Sequence, residues 1–326
     1  MDNTQDSTEV TSITVQTKDG LNLRATLYAS HIPAKSIVII NSATGVKKQY
    51  YADYAHFLVS QGFMVLSYDY RGIGESQPKS NKQYKLMKMQ HWGELDFAAC
   101  IAWCQTHAPH LPITCIGHSV GAQIIGLAHN NHALSACISL SGQSGYWRYW
   151  DKRKWPKLWL AWYGVIPLIP QFIGYLPGAI LGSEPLPKGV AQQWAQWCRH
   201  PDYICDQQGK KWRPYFSQMH SPMHFYHISD DDDFAPLKSV KALAQFYRNA
   251  PVTLERIHPE DHNIPFIGHF GFFKKDMPQT LWQTTADKIN TLLIKNNLED
   301  KNNDENIDKD KSNNTFFDMD LHHEKT

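Results

Sequence analysis

The sequence predicts an α/β fold built on a mostly parallel sheet. Short, continuously apolar runs that suit buried parallel strands alternate with segments of helical periodicity. Apolar and polar residues alternate on both sides of Asp19 and Gly20, which predicts an antiparallel hairpin at the start of the fold. The chain has 326 residues, 42% hydrophobic and 19% charged, enough for a substantial core. These patterns together favour helices packed on both faces of one central sheet.

The predicted elements follow the hairpin in a regular order. Buried or half-buried strands are expected at 36–40, 63–70, 113–117, 133–142, 223–229 and 252–258. Helical spacing of apolar residues predicts helices at 50–60, 91–106 and 120–129, and a final amphipathic helix at 280–297. The sequence therefore predicts strands and helices that alternate through most of the chain.

Two stretches interrupt this alternation and divide the chain. Residues 143–213 hold eight of the eleven tryptophans and are expected to form an inserted helical cap, with a helix at 186–198. Residues 298–326 are acidic, rich in asparagine and poor in apolar residues, so we expect a disordered tail. The core is then predicted to consist of 11–142 and 214–297.

Composition and the amino terminus exclude several classes of protein. The net charge is +1, so the chain lacks the excess of basic residues that is typical of nucleic-acid-binding proteins. The six cysteines are scattered and two lie in apolar runs, which favours reduced, buried thiols. The first ten residues have neither the basic nor the apolar part of a secretory signal. We therefore expect a cytoplasmic protein.

The segment "GHSVG", residues 117–121, places Ser119 where a predicted strand ends and a helix begins. A sharp turn there needs small neighbours, which Gly117 and Gly121 provide. It projects the serine hydroxyl at the carboxyl ends of the strands, beside free N–H groups of a helix N-terminus. The pattern predicts a nucleophilic serine, which requires a histidine base and a carboxylate from later loops.

Acid and base candidates occur after the last two predicted strands. The run Asp230–Asp233 follows the strand at 223–229 and closes with Ala235 and Pro236, so four carboxylates compete for one role. The loop after the strand at 252–258 carries His262 and His269, and His258 ends that strand. Glycines flank His269 and aromatic residues follow it, and all three histidines stay open as candidates at this point.

The chain resembles the α/β-hydrolase superfamily at "TKDGLNLRATLY", "SYDYRGIGES", "GHSVG", "SDDDDFAP" and "GHFGFF", which occur in the family's order. Within it, the chain looks most like the serine-aminopeptidase and monoglyceride-lipase-like hydrolases, and closest to a poorly characterised bacterial branch. The resemblance implies Ser119 as nucleophile and His269 as general base. The family's acid usually precedes a small apolar residue and proline by three positions. This spacing favours Asp232, with Asp231 as second choice.

The resemblance also implies an oxyanion hole made of backbone N–H groups. The first would come from Val120, directly after the nucleophile. The second would come from the loop "NSATGV" at 41–46, where many relatives carry His-Gly instead. Ala43 or Thr44 would supply it, and the departure leaves both candidates open.

The cap is expected to cover the site and wall an apolar pocket. Four of its tryptophans are predicted to line that pocket: Trp147, Trp159, Trp162 and Trp194. Such a lining favours a hydrophobic acyl ester or an aromatic ester.

One part of the cap also allows membrane interpretations. Residues 158–183 carry no charge and are long enough to span a bilayer. Three prolines in this stretch argue against one continuous spanning helix. Basic residues interleave with tryptophan at 147–155, which also suits peripheral contact with a membrane surface. Packing of the cap on the core is the main expectation.

The sequence as a whole predicts a serine hydrolase that cleaves a small-molecule carboxylic ester through an acyl-serine intermediate. No metal or redox cofactor is expected. Three alternatives stay open: an acyltransferase with the same triad, an aminopeptidase, and a ligand-binding homologue without catalysis. A serine at the elbow argues against mechanisms in which a carboxylate attacks the substrate.

Overall fold

A mixed eight-stranded sheet organises the protein, and the computed structural model describes residues 8–296. The strands are β1 (Glu9–Gln16), β2 (Asn22–Ala29), β3 (Ile37–Asn41), β4 (Met64–Tyr68), β5 (Ile113–His118), β6 (Leu134–Leu140), β7 (Tyr175–Leu176), β8 (Leu186–Pro187), β9 (Met223–Ile228) and β10 (Val252–Ile257). The main sheet has the order β1-β2-β4-β3-β5-β6-β9-β10, and β7 and β8 form a separate antiparallel pair.

Six neighbouring strands of the main sheet run parallel to one another: β4, β3, β5, β6, β9 and β10. Strand β2 is antiparallel to both β1 and β4. The predicted hairpin is confirmed, and Gly20 at its turn has φ +81, a backbone angle that favours glycine. Because the parallel strands end at one edge, the loops after β3, β5, β9 and β10 meet there.

The helices connect these strands on both faces of the sheet. They are α1 (Ala52–Ser60), α2 (Asn81–Leu86), α3 (Met89–His91), α4 (Ala98–His107), α5 (Val120–Gln123), α6 (Trp155–Trp159), α7 (Ile166–Ile173), α8 (Gly178–Leu181), α9 (Lys188–Arg199), α10 (Leu237–Ala244) and α11 (Gly268–Gly271). A last helix covers 279–296. Two π-helical segments join neighbours, Trp92–Phe97 between α3 and α4 and Leu160–Val165 between α6 and α7.

The core has two halves, one on each face of the sheet. In β3, Ile37 and Ile39 belong to one cluster, which also holds Trp92 of the segment before α4. Val38 and Ile40 point to the other cluster, together with Trp282 of the last helix. This arrangement explains why the run at 36–40 is continuously apolar, since a parallel strand covered by helices is buried on both sides.

The helix after the elbow is shorter than the predicted 120–129, because a distant tyrosine interrupts it. In an unbroken helix, the Gly126 N–H would bond to the Ala122 carbonyl. Instead the Gly126 N–H donates to Tyr247 Oη at 3.2 Å, and the Tyr247 hydroxyl donates to the Ala122 carbonyl at 3.0 Å. The α-helix therefore ends at Gln123, and a 3-10 turn follows at Ile125–Leu127.

The segment expected to form the cap, 143–213, contributes no strand to the main sheet. α6, the π-helical segment and α7 form one continuous rod, whose junction residues all have helical backbone angles. Gln192 of α9 donates to the Pro167 carbonyl and to Gln171 in this rod. The helix predicted at 186–198 is thus present as α9, and it supports the rod from one side.

Three further expectations concern the cysteines, a membrane-spanning helix and the carboxyl-terminal tail. The six cysteines are all buried, and none is bonded to another. Within residues 8–296, no helix is both long and apolar enough to cross a bilayer. The tail predicted at 298–326 lies outside the described residues.

Candidate active site

The segment around Ser119 forms a strained elbow between β5 and α5. Ser119 has φ 54 and ψ −116, which is rare for a residue with a side chain. The two flanking glycines are required by close backbone approach. A Cβ on Gly117 would lie 2.5 Å from Ala122 N, and one on Gly121 would lie 2.2 Å from Asn41 O. Strain of this kind persists where the surrounding packing imposes it, and it is concentrated at functional sites.

Ser119, His269 and Asp231 form a continuous hydrogen-bonded chain. Ser119 Oγ lies 2.9 Å from His269 Nε2, and His269 Nδ1 lies 2.6 Å from Asp231 Oδ2. The three residues are 6%, 8% and 1% exposed, respectively. A carboxylate on one ring nitrogen and a hydroxyl on the other is the arrangement that lets an imidazole take the serine proton.

The structure corrects the choice of acid, because Asp231 and not Asp232 contacts His269. The Ala235 N–H donates to the Asp231 carbonyl at 2.8 Å, closing one helix-like turn. This turn puts residues 231 and 235 on its inner side, where both are buried, and leaves Asp232 exposed. The spacing to Ala235 and Pro236 therefore identified the right turn but the wrong face of it.

The other aspartates of the run have different partners. Asp230 accepts hydrogen bonds from the backbone N–H groups of Ile267 and Gly268, both at 2.8 Å, and so fixes the start of the loop that carries His269. Asp233 forms an ion pair with Lys154 at 2.6 Å. Asp230 was not singled out from the sequence, although its position at the end of β9 is a signal for a loop anchor.

Aromatic rings surround the histidine of the triad. Phe234 stacks on His269 with ring centroids 4.9 Å apart and 22° between planes. Phe270 contacts it edge-on at the same centroid distance. His258 and His262, the other sequence candidates, make no recorded hydrogen bond to the triad within the described chain. The structure thus selects His269 from the three histidines of this region.

A second hydrogen-bonded chain runs behind the triad. The Ala43 N–H donates to Tyr51 Oη at 2.8 Å, Tyr51 Oη lies 2.9 Å from His118 Nδ1, and His118 Nε2 lies 2.8 Å from the His269 carbonyl. Burial, and secondarily the nearby His269, lowers the pKa of His118 well below its usual value. Burial also raises the pKa of Tyr51, so both groups are neutral.

The direction of every bond in this second chain is then fixed. The His269 carbonyl can only accept a hydrogen bond, so the neutral His118 ring carries its proton on Nε2 and donates there. His118 Nδ1 is then an acceptor, and the Tyr51 hydroxyl, which itself accepts from the Ala43 N–H, donates to it. Neither Tyr51 nor His118 was given a role from the sequence. The only signal was a histidine within "GHSVG" at the end of a fully buried strand.

The second chain also bears on the oxyanion hole. The Ala43 N–H is already engaged by Tyr51, which leaves Thr44 as the candidate of the two loop residues expected to supply a donor. Val120 is the first residue of α5, where backbone N–H groups have no partner inside the helix. The structure therefore favours Val120 and Thr44 over Ala43.

The cap is attached to loops on two sides of Ser119. On one side, the Glu184 N–H donates to the Gly45 carbonyl at 2.8 Å, and Glu184 pairs with Lys47 at 3.1 Å. On the other, Lys154 donates to the Asp232 carbonyl at 3.0 Å. The cap thus bridges the loop after β3 and the loop after β9.

The four tryptophans expected to line a pocket are not brought together. Trp162 contacts Trp194, with ring centroids 4.9 Å apart, and both pack against the core. Trp147 is buried against Trp155. Trp159 is 53% exposed, which contradicts its expected place in a buried pocket. The π-helical segment that begins at Leu160 has wider turns than an α-helix, so Trp159 does not share the inner face of Trp162 and stacks instead on the exposed Tyr163.

Comparison with known proteins finds one family model that matches part of the chain. A family model described as "Serine aminopeptidase, S33" matches residues 32–172, which include Ser119 but neither Asp231 nor His269. No curated protein matches the chain in sequence.

Solved structures share the fold at low sequence identity. The esterase Pf2001 from Pyrococcus furiosus has a TM-score of 0.55 at 14% identity, covering 88% of this chain and 93% of that one. A thermostable carboxyl esterase from Bacillus coagulans has a TM-score of 0.53 at 14% identity, covering 88% and 100%. The esterase EaEST from Exiguobacterium antarcticum has a TM-score of 0.54 at 15% identity, covering 86% and 100%. The shared architecture shows that the chain has the α/β-hydrolase fold.

Proposed function

We propose that the protein hydrolyses a carboxylic ester through an acyl-serine intermediate. The observation that carries the proposal is the continuous chain from Asp231 through His269 to Ser119, with both distances in hydrogen-bonding range. The similar solved structures include esterases, which agrees with this chemistry.

The residues present account for both steps of the reaction. Ser119 Oγ attacks the ester carbonyl carbon while its proton passes to His269 Nε2, and Asp231 stabilises the imidazolium that forms. The N–H groups of Val120 and Thr44 stabilise the negative oxygen, each contributing about 3 kcal/mol to lowering the barrier. The alcohol leaves with the proton from His269. Water then attacks the acyl-serine with the same base, releasing the acid and free Ser119.

The surroundings of the reacting atoms support an ester with an apolar or aromatic acyl group. Phe234 and Phe270 both contact the ring of His269, and no charged side chain other than Asp231 is recorded within hydrogen-bonding distance of that ring in the described chain. An apolar acyl group would extend these contacts, while a charged group would lose its hydration.

The aminopeptidase alternative is less well supported. A peptidase of this kind needs a free carboxylate to hold the substrate amine, and the acidic residues of the cap already have partners. Glu184 pairs with Lys47, and Asp202 lies 3.9 Å from Lys211. The Asp206 carboxylate accepts from the backbone N–H groups of Gln208 and Lys210. We therefore favour ester over peptide substrates.

The proposal includes a reducing, cytoplasmic setting, since all six cysteines are free thiols in the core.

A fluorophosphonate probe tests the proposed function directly, because it forms a covalent bond only with an activated serine. We expect the wild-type protein to be labelled and the Ser119→Ala variant not to be. A panel of esters graded by acyl length, measured with the same two proteins, should then show hydrolysis that rises from acetyl to longer acyl groups. Absence of labelling on folded wild-type protein would overturn the proposal in favour of a ligand-binding homologue.

A further inference from the structure

The rod formed by α6, the π-helical segment and α7 turns an apolar surface to solvent. Six large apolar side chains on this rod are each between 40% and 84% exposed, and we call them the outer cap face. They are Trp159, Leu160, Tyr163, Leu168, Phe172 and Ile173. Single exposed apolar residues are ordinary, but six of them on one short rod are typical of an interaction site.

The outer cap face is not the side on which the rod packs. Trp162 contacts Trp194, and Ile166 and Pro170 are buried. The inner side of the rod is therefore already in contact with α9 and the core. A rod that only covered the site would carry polar residues on its outer side, and here no charged residue occurs between 158 and 183.

A cluster of positive charge adjoins the outer cap face at the start of the rod. Residues 148–157, which we call the basic segment, hold five cations and one anion. Arg153 pairs with Asp151, and Lys154 pairs with Asp233. Lys152 and Lys157 are exposed and form no ion pair with any residue of the described chain. The basic segment thus retains positive charge that is not neutralised within the described fold.

Tryptophans occur at the boundary between the charged and apolar parts. Arg148 lies over the rings of Trp147 and Trp155, at 5.2 and 5.7 Å from their centroids. Trp159 stacks on Tyr163 at 5.6 Å on the outer cap face. Tryptophan and tyrosine beside lysine and arginine are typical of segments that sit between lipid headgroups and acyl chains.

We propose that the outer cap face and the basic segment dock on the surface of an anionic phospholipid bilayer. The apolar side chains would enter the headgroup boundary while Lys152 and Lys157 pair with lipid phosphates. A second copy of this chain could also cover the apolar face. The retained positive charge favours a negatively charged partner over a copy that carries the same charge.

The docking surface is joined directly to the loop that holds Asp231. Lys154 of the basic segment donates to the Asp232 carbonyl and pairs with Asp233, and Trp150 Nε1 donates to the Asp233 carbonyl. Phe234 in the same loop is 49% exposed and stacks on His269. A docked protein would thus place the triad close to the lipid surface.

Vesicle sedimentation of the full chain tests the proposal without any substrate, so its result is independent of the proposed activity. One probe is a vesicle of phosphatidylcholine alone, and the other is a vesicle of phosphatidylcholine and phosphatidylglycerol at a ratio of about 7 to 3. Each is measured at low and at high salt. We expect wild-type protein to bind the anionic vesicles, more weakly at high salt and more weakly to neutral vesicles. Failure of the wild-type protein to sediment with anionic vesicles at low salt would overturn the proposal.

Two pairs of variants separate the apolar and electrostatic parts. Leu168→Ser with Phe172→Ser should weaken binding to both vesicle types by about tenfold or more. Lys152→Gln with Lys157→Gln should weaken binding to anionic vesicles alone, by about fivefold for each lysine. Controls exchange exposed residues of the same kind elsewhere, Ile32→Ser with Val10→Ser and Lys18→Gln with Lys241→Gln, and should bind like wild type.

The same variants exclude the other occupant of the face. If the wild-type protein is a dimer by light scattering and Leu168→Ser with Phe172→Ser makes it monomeric without changing vesicle binding, the outer cap face is a self-association surface and the proposal is wrong. Equal vesicle binding by the face variants and their controls would also overturn it. Circular dichroism and fluorophosphonate labelling of each variant check that the fold and the triad are intact.

Discussion

At the scale of single residues, four consecutive aspartates show how position within a turn decides chemistry. Asp230 holds backbone N–H groups, Asp231 contacts His269, and Asp233 pairs with Lys154. The side chains are identical, so the differences come from the direction in which each backbone position projects. Only Asp231 is both buried and turned toward the imidazole.

The contrast between Asp231 and Asp232 gives a direct prediction. Asp231→Asn should lower kcat/KM for an ester on the order of a thousand- to ten-thousandfold, because the amide no longer holds the required tautomer of His269. Asp232→Asn is the matched control and should change kcat/KM by no more than about twofold, since its side chain is exposed. Steady-state hydrolysis by the two variants measures both effects. A large loss in Asp232→Asn with an active Asp231→Asn would reverse the assignment.

Sequence alone predicted Ser119 and His269 correctly as neighbours but favoured Asp232, whereas Asp231 contacts the histidine. The serine and histidine stand beside glycines and aromatic residues that give each a distinctive local context. The aspartates share one context, and their choice depends on the hydrogen bond from the Ala235 N–H to the Asp231 carbonyl. Such a bond is a property of the folded turn and leaves no separate mark on residue types.

At the scale of elements, the predicted strands agree with the observed ones to within a few residues, but the helix after the elbow does not. Its sequence of small and apolar residues suits a helix over 120–129, yet α5 ends at Gln123. Tyr247, which follows α10, inserts its hydroxyl between the Ala122 carbonyl and the Gly126 N–H. Local periodicity cannot predict an interruption caused by a residue more than a hundred positions away.

This insertion predicts the effect of removing one hydroxyl. Tyr247→Phe should lower the free energy of unfolding by about 1–3 kcal/mol, because two buried backbone groups lose their partner. Urea denaturation measures the change. Tyr175→Phe is the control, since Tyr175 is 40% exposed and its hydroxyl has no recorded bond in the described chain. A Tyr247→Phe variant as stable as the wild type would mean that Ala122 and Gly126 bond directly once the hydroxyl is gone.

At the scale of the whole molecule, the fold could be predicted from sequence because burial on both faces is required in several strands of the sheet. β3, β5 and β9 are buried along their whole length, and their mostly apolar runs fix a parallel sheet with helices on both faces. The polar groups inside that core could not be predicted in the same way. The contribution of each buried polar group to the free energy of unfolding depends on hydrogen-bond and charge partners from other elements. The same partners determine how that free energy changes with pH.

Buried titratable groups change the pH dependence of the unfolding free energy in opposite directions. Burial lowers the pKa of His224 to about 4, so the folded state resists protonating a group that the unfolded chain protonates near pH 6.5. This contribution to stability is complete above pH 6.5 and is lost as the pH falls toward 4. Burial raises the pKa of Glu94 to about 7 and that of Asp96 to about 6, and these carboxyl groups favour the folded state as the pH falls.

A single variant isolates the histidine contribution from this sum. His224 is 3% exposed, and its Nδ1 lies 2.6 Å from Thr253 Oγ1, a contact that a glutamine can preserve. Between pH 7 and pH 5, the wild-type protein should lose about 2 kcal/mol more unfolding free energy than His224→Gln, because only the wild type carries the suppressed protonation. Urea denaturation of both proteins at the two pH values measures this difference. The Glu255 carboxylate lies 3.4 Å from His224 Nε2, but it already pairs with Lys288. We therefore expect it not to stabilise a protonated His224 ring. An equal loss in both proteins would show that His224 does become charged in the folded state, with Glu255 as its partner.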